Sequence, residues 1–437
     1  MELFRNIFAD LLAWKNKRDK KPLIIQGARQ TGKTWCMREF GKKHFKKTAY
    51  FNFEKDTALK KEFALTKDPA ALVPILELYC GFPINREDTL IVFDEIQECN
   101  EALNSLKYFS ELSEPYHIIC AGSLLGVALR KEGSFPVGRV EFLNLYPLTL
   151  GEFIRSADPE LADYLDSLKK VAPLPVIIHE KLQSCYTRYQ ICGGIPRAVI
   201  AMLEENSVEK VDRELESLLL SYSLDFKKHA SVSEVPKITA IWNSLPAQLA
   251  KENRKFVYGV VRPGARAREY ESSLDWLQLA GLVYKIPDTN LPYLPLSAYD
   301  SPTVFKIYLF DVGILRALAK LSATTLIADN PVFREFKGAF AENTILQNLI
   351  PQYKVLPRYW TSEGRAEVDF ILQGEEAVVP VEVKSSDNKS GKSLKVYMDK
   401  YTPALAVIFS SGNVKEREGV IDLPHGLVSW LSTMVKF

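Results

Sequence analysis

The feature that most restricts this chain is the stretch PLIIQ-GARQTGKT-WCMREFGKKH, residues 22–44. Gly27, Gly32, Lys33 and Thr34 satisfy GxxxxGK[ST], with an apolar run before the motif and a helical pattern after it. Such a loop joins a buried strand to a helix, so its N–H groups and the positive helix end face one anion. The two glycines let the backbone of Ala28, Arg29, Gln30 and Thr31 bend round phosphate oxygens. Lys33 then reaches the β- and γ-phosphates, and the Thr34 hydroxyl is a ligand for Mg²⁺. Residues Gly27 to Trp35 are the candidate nucleotide-binding set. A chance glycine turn explains neither the Lys-Thr pair nor the strand–helix context.

A second motif, TLIVFDEIQ, supplies the acids. Four apolar residues form a strand that delivers Asp94 to its C-terminal end, where it binds Mg²⁺ through water. Glu95, one residue on, is placed to polarise an attacking water. Further along, Arg139 lies in a Gly-Arg turn just before a strand. It is either an ordinary salt-bridged arginine or a group that stabilises transition-state charge, in cis or from a neighbouring subunit. The second reading leaves a homo-oligomer open.

With 437 residues the chain exceeds one ordinary core, and two or three domains are expected. The 56 basic and 54 acidic residues leave a net charge of only +2, so any nucleic-acid surface must be local. Six cysteines show no CxxC spacing and do not cluster with histidine, which indicates reduced thiols in a cytoplasmic protein. No apolar run approaches the roughly 18 residues of a membrane span. Leu3, Ile7, Leu11 and Trp14 recur at helical spacing, so an amphipathic helix leads into the first strand.

The expected class is α/β. From 22 to about 150, the runs Pro22–Gln26, Ala49–Phe53, Leu90–Phe93, His117–Ala121 and Val140–Leu143 read as buried parallel strands. Residues 151–230 read as helical. Residues 231–311 hold helices, then LVYKIP, a Pro-rich turn and KIYLFD, an order that suggests a winged helix. Residues 312–437 begin with helices and continue with strand-like segments at Glu367–Leu372, Ala377–Glu382 and Leu405–Phe409 and a helix around 393–400. The division expected is therefore 1–150, 151–230, 231–311 and 312–437.

Within the third part, Arg254, Lys255, Arg262, Arg266 and Arg268 form a basic stretch suited to phosphates. The helix after it carries Glu269, Glu271 and Asp275, which would repel a duplex, and its Leu274, Leu277 and Leu279 read as core. A structural or protein-contacting role is favoured over base reading. The last part holds a second constellation. Glu382 and Lys384 alternate onto one strand face, a hairpin would set Asp369 beside them, and Glu342 lies on the preceding amphipathic helix. Two carboxylates and a lysine so placed can hold a divalent metal and direct water at phosphate. The same spacing also fits an ordinary exposed hairpin.

Together the loop, the DE pair, the AGS strand ending in Ser123, the Gly-Arg turn and LYPLTLGEF resemble prokaryotic AAA-type ATPases. That resemblance implies a strand inserted between those bearing the phosphate loop and the acids, and a sensor role toward the γ-phosphate for Ser123. CGGIPRAV at 192–199 is similar to the GxP motif of STAND-like ATPases. There the proline, here Pro196 after Gly194, contacts adenine from a helical lid, with Arg197 as a phosphate sensor. The tail resembles the PD-(D/E)xK restriction-endonuclease-like fold at Asp369 and Glu382-x-Lys384, with Glu342 as the helix carboxylate and Val368 in place of the proline. The function implied is Mg²⁺-dependent ATP hydrolysis acting on DNA, with a nuclease-like tail. The alternative is a nucleotide-dependent scaffold whose tail binds without cutting.

Overall fold

The computed structural model describes residues 1–122, 125–128, 138–168, 170–251, 255–327, 334–362, 366–385 and 391–435. They form two compact units: Arg5–Tyr146 with Leu279–Gly281, and Met1–Phe4, Pro147–Gln278 and Leu282–Phe437.

The first unit is built on β1 (Leu23–Gln26), β2 (Lys47–Asn52), β3 (Thr89–Asp94), β4 (His117–Ala121) and β5 (Glu141–Asn144). They lie in the order β2-β3-β4-β1-β5, every neighbouring pair parallel. The apolar runs are continuous because both faces are covered, as a parallel sheet requires. Alternation sorts the side chains: Ile24, Ile91, Phe93, Ile118 and Cys120 enter one core layer. Leu23, Ile25, Leu90, Val92 and Ile119 enter the other. The helix Ile7–Lys15 packs Ile7, Leu11 and Trp14 into that second layer, as its spacing predicts. The expected inserted strand is present, since β4 separates β1 from β3. Parallel strands all end at one edge, so Gln26 and Asp94 reach the same edge of the sheet.

The second unit opens with the helices Leu150–Ala157, Pro159–Asp166, Val176–Cys192, Pro196–Glu204 and Val208–His229, matching the helical expectation for 151–230. Its sheet runs β12-β13-β11-β10-β9-β8-β6-β7. The strands are β6 (Val283–Thr289), β7 (Asp300–Leu309), β8 (Arg358–Ser362), β9 (Ala366–Gln373), β10 (Val378–Val383), β11 (Ala406–Ser410), β12 (Lys415–Arg417) and β13 (Val420–Pro424).

Here the expected four-part division changes. The β6–β7 hairpin, assigned by its sequence to a winged helix, continues the sheet of the C-terminal segment. β6 pairs in parallel with β8 through Asp288↔Tyr359 and Thr289↔Trp360. An open hairpin edge carries unpaired backbone groups, and β8 satisfies them. Arg358 secures this junction with a two-pronged pair to Asp300, at 2.9 and 2.8 Å. In the helix Ala267–Leu279, Leu274 and Leu277 are fully buried as expected, but Leu279 is 38% exposed. Arg262, Arg266 and Arg268 are exposed and Lys255 is half-buried, while Arg254 lies outside the described residues.

Candidate functional site

The loop after β1 is tightly constrained. A Cβ on Gly27 would lie 2.2 Å from the Leu145 carbonyl oxygen, so only glycine passes there. Gln30 (φ 64°) and Gly32 (φ 98°) adopt left-handed backbone, unusual for a glutamine and a sign of a shape fixed by its surroundings. The Thr31 hydroxyl closes the turn onto the Ala28 carbonyl at 2.9 Å. From outside the motif, buried Arg5 donates to the Thr31 carbonyl at 3.0 Å and to that of Tyr146 at 2.6 Å. Arg5 was not anticipated. Its only signal was a cation beside the apolar face of the first helix.

Lys33 is buried and donates to the carbonyls of Gly27 at 2.9 Å and Ala28 at 2.8 Å. Burial pulls its ammonium down to about 8, while Glu95 and Asp94 act in the opposite direction. Thr34 donates from Oγ1 to Asp94 Oδ2 at 2.8 Å, which joins the two motifs. Tyr50 Oη donates to the same oxygen at 2.6 Å, and the Glu95 amide donates to Asp94 Oδ1 at 3.1 Å. Glu95 also has left-handed backbone (φ 52°), and its Oε2 accepts from Gln97 Nε2 at 2.7 Å. Trp35 is 39% exposed and meets Phe8 edge to face. A hydroxyl and a carboxylate brought together at a helix N-terminus are the hard oxygen set that suits Mg²⁺.

Residues 19–154 match the AAA domain family. Over those residues the chain is similar to AAA domains.

Two further matches are to domains of unknown function, over residues 183–325 and 337–425. No curated protein matches the sequence. Among solved structures the chain is similar to a Walker-type ATPase of Pyrococcus abyssi, at 15% identity and TM-score 0.45, over 73% of this chain and 96% of that one. It is also similar to Cdc6p of Pyrobaculum aerophilum, at 14% identity and TM-score 0.25, over 75% and 96%. A third likeness is to Drosophila ORC bound to DNA, at 15% identity and TM-score 0.27, over 72% and 93%.

Two other expected residues of the AAA domain fare differently. Ser123 lies outside the described residues. Arg139 is about half exposed and lies 3.4 Å from Glu111, an ordinary surface pair as it stands. In the second unit, Pro196 begins the helix Pro196–Glu204, and Arg197 is 71% exposed with Glu214 at 3.9 Å. The glycines before them have a local structural cause. Asp311 is buried and accepts from the Gly194 amide at 2.7 Å, the Ile314 amide at 3.0 Å and Gln347 at 3.0 Å. A Cβ on Gly193 would come within 2.2 Å of Asp311, and one on Gly194 within 2.1 Å of the Leu148 carbonyl.

The second constellation assembles in part. β9 and β10 pair with Val381 opposite Phe370, and one step further the same register sets Glu382 beside Asp369. Asp369 accepts from the Val383 amide at 2.7 Å. Among the described residues, buried Glu382 Oε2 has no hydrogen-bond partner. Burial, then the Asp369 charge, hold the Glu382 carboxyl well above the ordinary range, and Lys384 and Lys306 oppose them. Glu342 does not complete a three-carboxylate site, which corrects the expectation. It is 1% exposed and accepts from Tyr308 Oη at 2.8 Å. Among the described residues no three His, Cys, Asp or Glu side chains come together to hold a metal. Lys306, absent from the sequence reading, is fully buried, ion-paired to Glu367, and 4.7 Å from the Tyr359 ring centre. Only the strand order could reveal it, because β7 is distant in sequence.

Among the described residues no helix is long and apolar enough to cross a membrane. None of the six cysteines, all within the described residues, is in a disulfide.

Proposed function

We propose that the AAA domain binds Mg²⁺–ATP and hydrolyses it. The observation that carries this reading is the 2.8 Å bond from Thr34 to Asp94, which links the phosphate loop to the acidic strand end. The bound ion would supply charge neutralisation for the β- and γ-phosphates. The chain's own part is to direct loop amides and the Lys33 ammonium at the phosphates, and to present Glu95 to a water. Gln97, donating to Glu95, fixes the carboxylate that takes up the proton. Phosphate release from ATP, measured with and without Mg²⁺, tests the reading. Protein that binds ATP but releases no phosphate under any divalent ion would sink it.

For the second unit we infer a metal-dependent phosphodiester site on DNA, made by Asp369, Glu382 and Lys384. Its support is the juxtaposition of two carboxylates with a lysine one alternation away, and the unpartnered oxygen of Glu382. One observation favours binding without cutting: no third acid joins the pair among the described residues. Incubation with single- and double-stranded DNA and Mg²⁺ or Mn²⁺, with and without ATP, separates the two. Cleavage lost in Asp369→Ala supports the first. Retention of intact DNA by wild-type protein supports the second.

A further inference from the structure

We propose that Tyr50 is a positioning residue for the Mg²⁺ of the AAA domain, fixing the Asp94 carboxylate so that its remaining acceptor position faces the hydrated ion. This rests on reading the domain as a Mg²⁺–nucleotide site.

A carboxylate offers about four acceptor positions. Among the described residues three donors reach Asp94: the Thr34 hydroxyl, the Tyr50 hydroxyl and the Glu95 amide. Asp94 is 2% exposed, so these bonds, with no bulk water to compete, set its orientation. The Thr34 hydroxyl spends its proton on Asp94, which leaves its lone pairs for a cation. The Tyr50 bond is the shortest of the three and comes from a different strand.

Tyr50 is itself held from several sides. It stands on β2, where Asn52 pairs with Asp94 across to β3 and Tyr50 with Val92. Asn52 Nδ2 lies 3.5 Å from the phenol oxygen, on the donor side, so the phenol proton is left for Asp94. The Arg38 guanidinium covers the ring at 3.9 Å from its centre. Arg38 lies on the helix Lys33–His44 that begins at the phosphate loop, so one helix carries Lys33, Thr34 and the clamp on Tyr50. Without the phenol, the broad terminal torsion of Asp94 would be restrained by Thr34 and one amide alone.

The test uses the full chain and a fluorescent ATP analogue. Tyr50→Phe keeps the ring under Arg38 and removes only the hydroxyl. Its affinity for the analogue without divalent ion should stay within about twofold of wild type. The Mg²⁺ concentration for half-maximal tightening should rise about fivefold, the worth of one hydrogen bond. Mn²⁺ binding in the presence of nucleotide, followed by its electron paramagnetic resonance signal, should weaken in parallel. Unchanged Mg²⁺ and Mn²⁺ dependence would overturn the proposal. So would an equal loss of affinity with and without the ion, which would mark Tyr50 as merely structural. If Tyr50→Phe does not fold, Arg38→Met, which loosens the ring, should shift the Mg²⁺ midpoint in the same direction, and no shift overturns the idea. Wild-type protein that binds no nucleotide at all would bring down the underlying reading, and the proposal with it.

Discussion

Among the described residues, Asp94 at the edge of the parallel sheet is held by three donors, whereas Glu382 on the mixed sheet keeps a buried oxygen without a partner. Both places concentrate acid. In the AAA domain the charge is organised by neighbours: Lys33 is tied to two loop carbonyls, and Asp94 and Glu95 each meet named donors. On β9 and β10 the two carboxylates face each other across the register, and burial, with the Asp369 charge second, raises the Glu382 carboxyl and favours its protonated form. Donors arranged in advance suit a site that must act repeatedly on one ligand shape. A pair relieved by protonation is instead one that a divalent cation can reorganise.

The comparison breaks first at Glu95. If the AAA domain is the preorganised site, Glu95→Gln should bind ATP as wild type does yet release phosphate about a thousandfold more slowly. Single-turnover phosphate release reads this directly, and turnover within a fewfold of wild type would remove Glu95 from its role. Next comes Lys33→Ala, which should weaken ATP binding about a hundredfold through loss of a charged donor. Calorimetric titration checks it, and an affinity near wild type would mean that the loop amides suffice.

Lys33 also predicts a pH dependence of definite sign. Its ammonium titrates at about 8, below the ordinary lysine value of 10.5, and only the charged form attracts phosphate. ATP affinity should therefore fall about tenfold from pH 7 to pH 9, and Lys33→Arg should flatten the curve. Folding stability moves the other way. Between about 8 and 10.5 the unfolded chain binds the proton more tightly, so this group's contribution rises with pH. Affinity that is level from pH 7 to pH 9 in wild type would contradict a buried, shifted lysine.

The two sites were also unequally legible in the sequence. The phosphate loop is contiguous, and eight residues fix its geometry through glycine conformations and a helix start. Asp94 and Glu95 followed because a buried run must end at the sheet edge. Tyr50 and Arg5 were not visible, since each acts through a neighbour that only strand order or a buried approach reveals. Gly194 belongs to the motif that resembles a nucleotide lid, and the structure gives it and Gly193 a local cause in Leu148 and Asp311. On the mixed sheet, strand alternation is the sequence signal that sets Glu382 and Lys384 on one face, and the Lys384 charge acts on Glu382. Glu342 was drawn in by pattern alone, and its Tyr308 bond was beyond sequence reasoning. The same holds for β8, a short aromatic strand whose partner β6 lies some seventy residues earlier.

The smallest expected effect tests the protonated pair itself. A carboxyl whose folded value is raised keeps its proton where the unfolded chain has already lost it. Stability should therefore fall as pH rises from the ordinary value of 4.5 toward the folded one. Glu382→Gln keeps the shape and removes the titration. At pH 7 it should stabilise the second unit by about 1 kcal/mol, a shift of a few degrees in melting temperature. The gain should vanish well below pH 4.5, where both states of the wild-type carboxyl are protonated. Added Mn²⁺ should stabilise wild type and leave the glutamine variant unmoved, because the cation replaces the proton between Asp369 and Glu382. A glutamine variant that melts below wild type across the whole range would show that the Glu382 carboxylate is already satisfied, and the contrast between the two sites would collapse.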